Sequence, residues 1–164
     1  MIRSFSVLSV LCLAVSASAF AMPAVGDKAQ FDIDLTLSNG GHYNGTVDLS
    51  LTEYNATSQQ YKEEQLLAIA GQTRSQANWV DAKNLLTEGL INAVLGNCAA
   101  YGGSSQQVAV GAGTFQVCAL PFDDQDSKGT NYIGQATFGI IKQDSTSKKD
   151  GTHTILSLRS YHNG

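Results

Sequence analysis

Residues 79–122, WVDAKNLLTEGLINAVLGNCAAYGGSSQQVAVGAGTFQVCALPF, have the pattern of a helix, a turn and a β-hairpin. Cys98 follows the predicted end of the helix, and Cys118 lies on the second strand of the predicted hairpin. If the two sulfurs are bonded, the helix is fixed to a sheet. The segment therefore predicts an α+β domain in which a helix packs on antiparallel strands.

The predicted helix has one apolar face. Its apolar residues recur at steps of three and four, which is the spacing of a helix face: Trp79, Ala82, Leu86, Leu90 and Ala93. Asn78 or Ser75 can cap its start. Asp81 suits the first turn, and Gly96 can end the helix. We expect one long amphipathic helix in which Trp79 anchors the helix to the sheet, with a ligand-stacking platform as its alternative role.

Strand patterns precede this segment. Residues 31–37 and 42–54 alternate apolar and polar side chains, and the sequence SNGG between them suits a hairpin turn. Residues 59–70 are ambiguous, because their Glu, Gln, Leu and Ala content favours a helix. Tyr61, Leu67 and Ile69 nevertheless share one face of an extended chain. We interpret this segment as a third strand.

Strand patterns also follow it. Residues 132–142 and 152–161 are predicted strands, and Gly134 and Gly139 interrupt the first of them. Glycines inside a strand allow a bulge or a bend. The sequence thus predicts a curved, mainly antiparallel sheet of about six to eight strands.

The first residues are typical of a targeting segment. Arg3 precedes an apolar run, and small residues with alanine at positions 19 and 21 follow it. The run is shorter than the ~20 residues that a spanning helix needs. We predict a signal peptide at residues 1–21 and a single α+β domain at residues 22–164, periplasmic or secreted and not spanning the membrane.

The cysteines of the predicted mature chain form a pair. Cys12 lies in the apolar run, which leaves Cys98 and Cys118. Two cysteines in an exported domain are typical of one disulfide. A metal site would need further Cys or His at close spacing, and a redox pair is usually C-x-x-C. Closing this loop should stabilise the fold by about 3 kcal/mol.

The charge pattern argues against nucleic acid and metal ions. The formal net charge is −4, and no long basic run is present. The acidic stretch that begins at Asp124 suggests calcium. However, Lys128 stands where the calcium loop of an EF-hand needs an oxygen ligand, and Gln135 stands where it needs a bidentate glutamate. We expect a solvated loop there, with no metal and no cofactor.

No catalytic motif stands out. His42, His153 and His162 each lie in or beside a turn among polar residues, and no G-x-S-x-G or H-E-x-x-H is present. We expect no catalytic residues and no enzymatic activity.

Two stretches carry a resemblance to a known group. NC..YGG....VAVGAGTFQVCAL (residues 97–120) and YIGQATFGIIK (residues 132–142) resemble small exported bacterial proteins related to the lipoprotein-carrier (Lol-type) half-barrels. Gly111 stands where those proteins tend to have proline, and Ala136-Thr137 replaces their Val-Pro. The resemblance implies a curved sheet whose apolar concave face is partly covered by helix, and in the carriers that face holds acyl chains.

Two functions follow from these patterns. The first is a non-enzymatic exported protein that binds or carries a lipophilic ligand in the concave face of the sheet. Its candidate ligand-binding residues are those of the helix stripe: Trp79, Leu86 and Leu90. The alternative is an envelope structural or protein-interaction module with a filled core and no ligand. The expected partner is accordingly a lipophilic small molecule or an envelope protein.

Overall fold

The computed structural model describes residues 23–164, so the predicted signal peptide lies outside the described residues. The described part contains nine strands and one α-helix: β1 (Lys28–Thr36), β2 (His42–Asn55), β3 (Gln60–Ile69), β4 (Gln72–Asp81), α1 (Glu88–Gly96), β5 (Ser104–Val110), β6 (Gly113–Asp123), β7 (Ser127–Gly134), β8 (Ile140–Ser147) and β9 (His153–His162). The strands form one antiparallel sheet in the order β4-β3-β2-β1-β9-β8-β7-β6-β5. The sheet is curved and open, as the sequence predicts, but it has more strands than the expected six to eight.

The first four strands form a meander. Phe31 of β1 pairs with Val47 of β2, and Val47 pairs in turn with Leu67 of β3. Cross-strand partners share a face, so these apolar side chains line one side of the sheet. The prediction of a strand at residues 59–70 is confirmed.

The prediction of a long helix is wrong. Residues 72–81, including Trp79 and the proposed caps Asn78 and Ser75, form β4, which pairs with β3 along its whole length. The helix has nine residues and begins after Thr87, whose side-chain oxygen accepts a hydrogen bond from the Leu90 amide at 3.2 Å. Backbone pairing with a neighbouring strand outweighs an apolar spacing that fits a helix only by coincidence. Gly96 is the last residue of the helix, but it is not the left-handed stop that the sequence predicts, since Asn97 (φ −133°) follows as the cap and Gly96 has no positive φ.

A second difference concerns residues 132–142. They are the end of β7, a tight reversal and the start of β8, so they are not one bent strand. Phe138 (φ 63°) and Gly139 (φ 71°) are both left-handed, and the Gly139 amide donates to the Ala136 carbonyl at 2.9 Å. Gly139 thus turns the chain. This reversal and the separate β4 account for the additional strands.

The core has two clusters. The larger contains Ala29, Phe31, Val47, Val117, Ile141 and Leu158. The smaller contains Ile91, Val94, Cys98, Cys118 and Ile133. Val117 and Cys118 are successive residues of β6 and therefore point to opposite faces. The helix consequently packs against the face of β6 and β7 opposite to the one that meets the larger cluster.

The disulfide predicted between Cys98 and Cys118 is present, with the two Cα atoms 5.5 Å apart. The glycines that follow Tyr101 make room for it. Gly102 is left-handed (φ 78°), and a Cβ on Gly103 would lie 2.7 Å from the Cys118 sulfur. The chain therefore passes over the disulfide with no side chain between them. Within residues 23–164, no helix has the length and apolar character needed to cross a membrane.

Candidate functional site

A cavity of about 530 Å³ opens at one end of the sheet. It lies where β2 and β3 meet the residues before α1, the β7–β8 turn and the last residues of the chain. The residues that line it are Pro23, Ala24, Asp27, Leu49, Glu63, Asn84, Leu85, Leu86, Glu88, Ile91, Gln135, Ala136, Thr137, Phe138, Ile140, Tyr161, Asn163 and Gly164. The cavity therefore combines residues from six separate parts of the sequence.

Apolar side chains form much of its wall. Leu86 precedes the helix cap, and Ile91 lies on the buried side of α1. Both pack tightly over the β7–β8 turn, because a Cβ on Gly139 would lie 2.8 Å from Leu86 Cδ1 and 3.1 Å from Ile91 Cδ1. Leu49 of β2 lies on the sheet side of the cavity. A close contact between helix and turn thus fixes one wall, and the sheet supplies the other.

Phe138 lies on this wall in a left-handed backbone conformation (φ 63°). For a bulky residue such a conformation costs of order 1–3 kcal/mol. The tight reversal and the glycine that follows hold it in place. Backbone strain of this kind is more frequent at binding sites than elsewhere, and here it places an aromatic residue at the cavity.

Polar residues tie the two ends of the described chain together beside the cavity. Asp27 is buried, and its carboxylate accepts hydrogen bonds from the amides of Ala24 (2.9 Å) and Gly164 (2.8 Å). Thr137, also buried, donates to the carbonyl of His162 at 3.2 Å. The Asp27 charge is therefore satisfied by the protein itself.

Glu63 is the exception among these polar groups. It lies on β3 opposite Leu51 and Asn78 and is half-buried at the cavity. Within residues 23–164, no hydrogen bond or ion pair to its carboxylate is found. Burial raises the pKa of this carboxyl above its ordinary value, since water that would stabilise the charge is partly excluded. Glu63 is thus a polar group available to a ligand.

The structure separates the three residues predicted to bind a ligand. Leu86 lines the cavity. Leu90 lies on the outer side of α1 and is 42% exposed. Trp79 is 47% exposed on β4, where it pairs with Lys62 and so lies on the face opposite to Glu63. The expectation that Trp79 anchors the helix is wrong, since it is not part of that helix.

Sequence reasoning missed Glu63 and Phe138. One signal for Glu63 was present, because it shares its face of β3 with Tyr61, Leu67 and Ile69, the three residues that identified the strand. A glutamate in an apolar register indicates a polar group directed at a core or a cavity. No signal of this kind marked Phe138, whose position depends on a reversal that was interpreted as a bend.

The histidines do not meet near the cavity. His42 contacts Asp34 at 3.0 Å across the β1–β2 pair, and His153 contacts Asp144 at 2.7 Å across the β8–β9 pair. Both histidines lie at exposed or half-exposed positions of the sheet. The Nδ1 atom of His42 also lies 3.2 Å from the hydroxyl oxygen of Thr36, but His42, Asp34 and Thr36 do not line the cavity.

The acidic loop at Asp124 is organised by its own backbone. The Asp124 carboxylate accepts from the amides of Asp126 (2.9 Å) and Ser127 (2.8 Å), and these bonds lower its pKa. Lys148 pairs with Asp123 next to it. Within the part of the chain that the structure describes, no three His, Cys, Asp or Glu residues are grouped so that they could hold a metal ion.

Several solved structures are similar to this chain at low sequence identity. No protein-family model matches the chain, and no curated protein does. A Bacteroides fragilis protein named as exported, with a YmcC-like fold, is 11% identical over 88% of this chain and 99% of its own, with a TM-score of 0.48. MucB in the Pseudomonas aeruginosa MucA/MucB complex is 12% identical over 85% of this chain and 53% of its own (TM-score 0.45). A LolA superfamily protein from Nitrosomonas europaea is 10% identical over 88% of each chain (TM-score 0.22).

One of these structures is named as a LolA superfamily protein, and residues 97–120 and 132–142 of this chain bear the resemblance to the Lol-type group described above. The chain spans about half the length of MucB. At such identities and TM-scores the matches carry no argument about ligand or partner. The functional argument therefore rests on the cavity itself.

Proposed function

We propose that the protein binds a lipophilic small molecule in the cavity between the sheet, α1 and the β7–β8 turn, as a carrier or sensor without enzymatic activity. The observation that supports this is the cavity of about 530 Å³ with Leu49, Leu86, Ile91 and Phe138 on its walls. Ligand sites in proteins commonly measure about 300–1,000 Å³ and are mostly apolar, with a few polar groups.

The walls suit an alkyl or similar apolar group. Each CH₂ moved from water into apolar surroundings contributes about 0.8 kcal/mol. A ligand that covers Phe138 and Leu86 would gain this and would also shield those side chains from water. The cavity is open on one side, so a polar end of the ligand can stay in contact with solvent.

The absence of catalysis is part of the proposal. The histidine–aspartate contacts lie away from the cavity residues, and among the described cavity residues there is no histidine, cysteine or serine. The export of the protein is also a proposal. The predicted signal peptide and the disulfide support it, since disulfides persist in oxidising compartments.

Titration with Nile red, a neutral lipophilic fluorophore, tests the proposal. We expect saturable enhancement of its fluorescence and a loss of that enhancement in Leu86→Arg, which places a charge on the cavity wall. Leu66→Arg is the matched control, because Leu66 is 40% exposed on β3 and does not line the cavity. Circular dichroism establishes that each variant is folded.

A cavity-filling variant guards against misfolding of Leu86→Arg. Ala136 lines the cavity, and Ala136→Trp would occupy part of its volume without adding a charge. We expect weaker binding of Nile red with an unchanged circular dichroism spectrum. Equal binding by Ala136→Trp and the wild type, or no binding by the folded wild type, would reject the proposal.

A second candidate function is protein interaction along β4. This edge strand pairs only with β3, and its residues 72–79 are exposed. An exposed edge can accept an extended segment of another protein as an additional strand. A photo-crosslinker at Gln76, compared with one at Gln143 inside the sheet, would test it. Crosslinks to one defined envelope protein at Gln76 alone would favour this function, and equal yields at both positions would argue against it.

A further inference from the structure

We propose that the cavity selects amphiphiles with a cationic head group, such as alkylamines, over fatty acids and other anions. This inference rests on the proposed function and adds the chemical class of the ligand. It depends on the sign of the charges at the cavity and on one carboxylate that the protein leaves without a partner.

The charged side chains at the cavity have one sign. Among residues 23–164, those that line it are Asp27, Glu63 and Glu88, with no lysine, arginine or histidine. An anion that entered would meet like charges in surroundings partly shielded from water, where repulsion is stronger than in bulk solvent. A cation would meet attraction in the same place.

The three carboxylates are not equivalent. Asp27 already accepts two backbone hydrogen bonds, which stabilise its carboxylate. Glu88 is exposed in the first turn of α1, where the helix dipole favours a negative charge. Glu63 has neither form of compensation. A ligand cation would therefore gain most at Glu63, where a charge-assisted hydrogen bond replaces an uncompensated carboxylate.

The nearest basic residues along the chain cannot take this role. Lys62 precedes Glu63 and lies on the other face of β3, where it pairs with Glu53 at 2.7 Å and contacts Glu64 at 3.5 Å. Lys83, near the cavity in sequence, pairs with Asp81 at 3.4 Å. The protein thus holds these cations elsewhere and leaves Glu63 for a ligand.

The apolar walls and Glu63 together define the expected molecule. Leu49 lies on β2 next to the β3 strand that carries Glu63, while Leu86 and Phe138 lie across the cavity on the helix and turn side. A ligand can therefore place an alkyl chain against the apolar wall and a donor-bearing head beside the carboxylate. An ammonium group fits best, because it supplies both a charge and N–H donors.

Displacement of Nile red by three ligands with the same chain tests the inference. Dodecylamine, dodecanol and dodecanoate are compared at neutral pH, each below its aggregation concentration. We expect the amine to bind at least about tenfold more tightly than the alcohol, and the alcohol more tightly than the carboxylate. Dodecyltrimethylammonium, a cation without N–H donors, should rank between the amine and the alcohol.

Glu63→Gln and Glu64→Gln separate a specific contact from general charge. Each variant removes one carboxylate from β3, but Glu64 lies on the opposite face, where it accepts from Thr52. We expect the amine-to-alcohol affinity ratio to fall about tenfold in Glu63→Gln and to stay unchanged in Glu64→Gln.

The outcomes distinguish this inference from the function on which it rests. Equal affinity for the three head groups, or an affinity ratio that Glu63→Gln leaves unchanged, would overturn cation selection while ligand binding stands. Failure of the folded wild type to bind Nile red or any of the alkyl ligands would remove the proposed function and the inference with it.

Discussion

The region around α1 and the edge strand β4 are stabilised in different ways. Around α1, Ile91, Val94 and Ile133 are buried together, and the Cys98–Cys118 disulfide joins helix end to sheet. Along β4, residues 72–79 are exposed, and backbone pairing to β3 attaches the strand. The comparison teaches that tertiary packing is concentrated in one region, while the other is a polar extension of the sheet.

The cavity lies where these two kinds of structure meet. Leu86, Ile91 and Phe138 belong to the packed region, and Glu63 belongs to β3, the strand with which β4 pairs. A well-packed apolar wall therefore faces a wall with an uncompensated carboxylate. The apolar wall suits the alkyl chain of the proposed ligand, and the wall with Glu63 suits its cationic head group.

Loss of the disulfide should have the largest effect on this comparison. In Cys98→Ala with Cys118→Ala, we expect the free energy of unfolding to fall by about 3 kcal/mol, because the unfolded chain is no longer constrained by the loop. Urea denaturation measures the change, and the wild type in reductant is the control. A change below about 1 kcal/mol would contradict the view that this bond stabilises the packed region.

The second largest effect is expected when a side chain is added at Gly139, under the helix. Gly139→Ala should lower the free energy of unfolding by about 2 kcal/mol, since the new Cβ meets both a left-handed backbone and the Leu86 side chain. Gly40→Ala is the matched control, because Gly40 is also left-handed (φ 86°) but has open space around it. Equal losses in the two variants would show that helix and turn are not in close contact.

Truncation of Trp79 measures how much its side chain contributes to the stability of β4. In Trp79→Ala we expect a change in unfolding free energy within about 0.5 kcal/mol, which is usual for exposed positions. A buried aromatic anchor would cost about 3–5 kcal/mol on truncation. A loss of that size, measured by urea denaturation followed by circular dichroism, would mean that Trp79 packs against the core.

The pH dependence of stability should show the smallest effect. Burial raises the pKa of Glu63, so the folded protein holds this proton more tightly than the unfolded chain. The resulting stability is complete below the unfolded pKa and is lost as pH rises through the folded pKa. Glu63→Gln should therefore gain stability relative to the wild type as the pH rises from below 4.5, the ordinary value of glutamate, through the raised pKa of Glu63 in the folded state.

The difference between the two denaturation curves isolates this carboxyl. Asp27, Glu88 and Tyr161, the other titratable side chains among the described cavity residues, are present in both proteins. A constant difference between Glu63→Gln and the wild type across this range would mean that the cavity does not perturb Glu63.

The sequence predicted the parts of the fold that carry a burial pattern. Phe31 and Val47 alternate with polar residues because one face of β1 and β2 is buried. The disulfide could be predicted because the predicted mature chain contains two cysteines and is expected to be exported. β4 has no such pattern, since both of its faces are exposed. The apolar residue Trp79 of β4 therefore fitted the apolar face of a predicted helix. The helix of the structure begins only after Thr87.

The cavity was harder to predict for a different reason. Its walls come from parts of the chain that are distant in sequence, and their meeting depends on the left-handed reversal at Phe138 and Gly139. Leu86 was predicted as part of the helix stripe, although it lies just before the helix. For Glu63 the sequence offered one signal, its place among apolar residues of β3, and only the position of α1 shows that it lies at a cavity.

Amide chemical-shift mapping during a titration with dodecylamine tests the central claim most directly. The account predicts shifts that saturate together and cluster at Leu49, Glu63, Ile91 and Phe138, with residues 72–79 of β4 unaffected. Shifts confined to β4, or no saturable shifts in the folded protein, would contradict it.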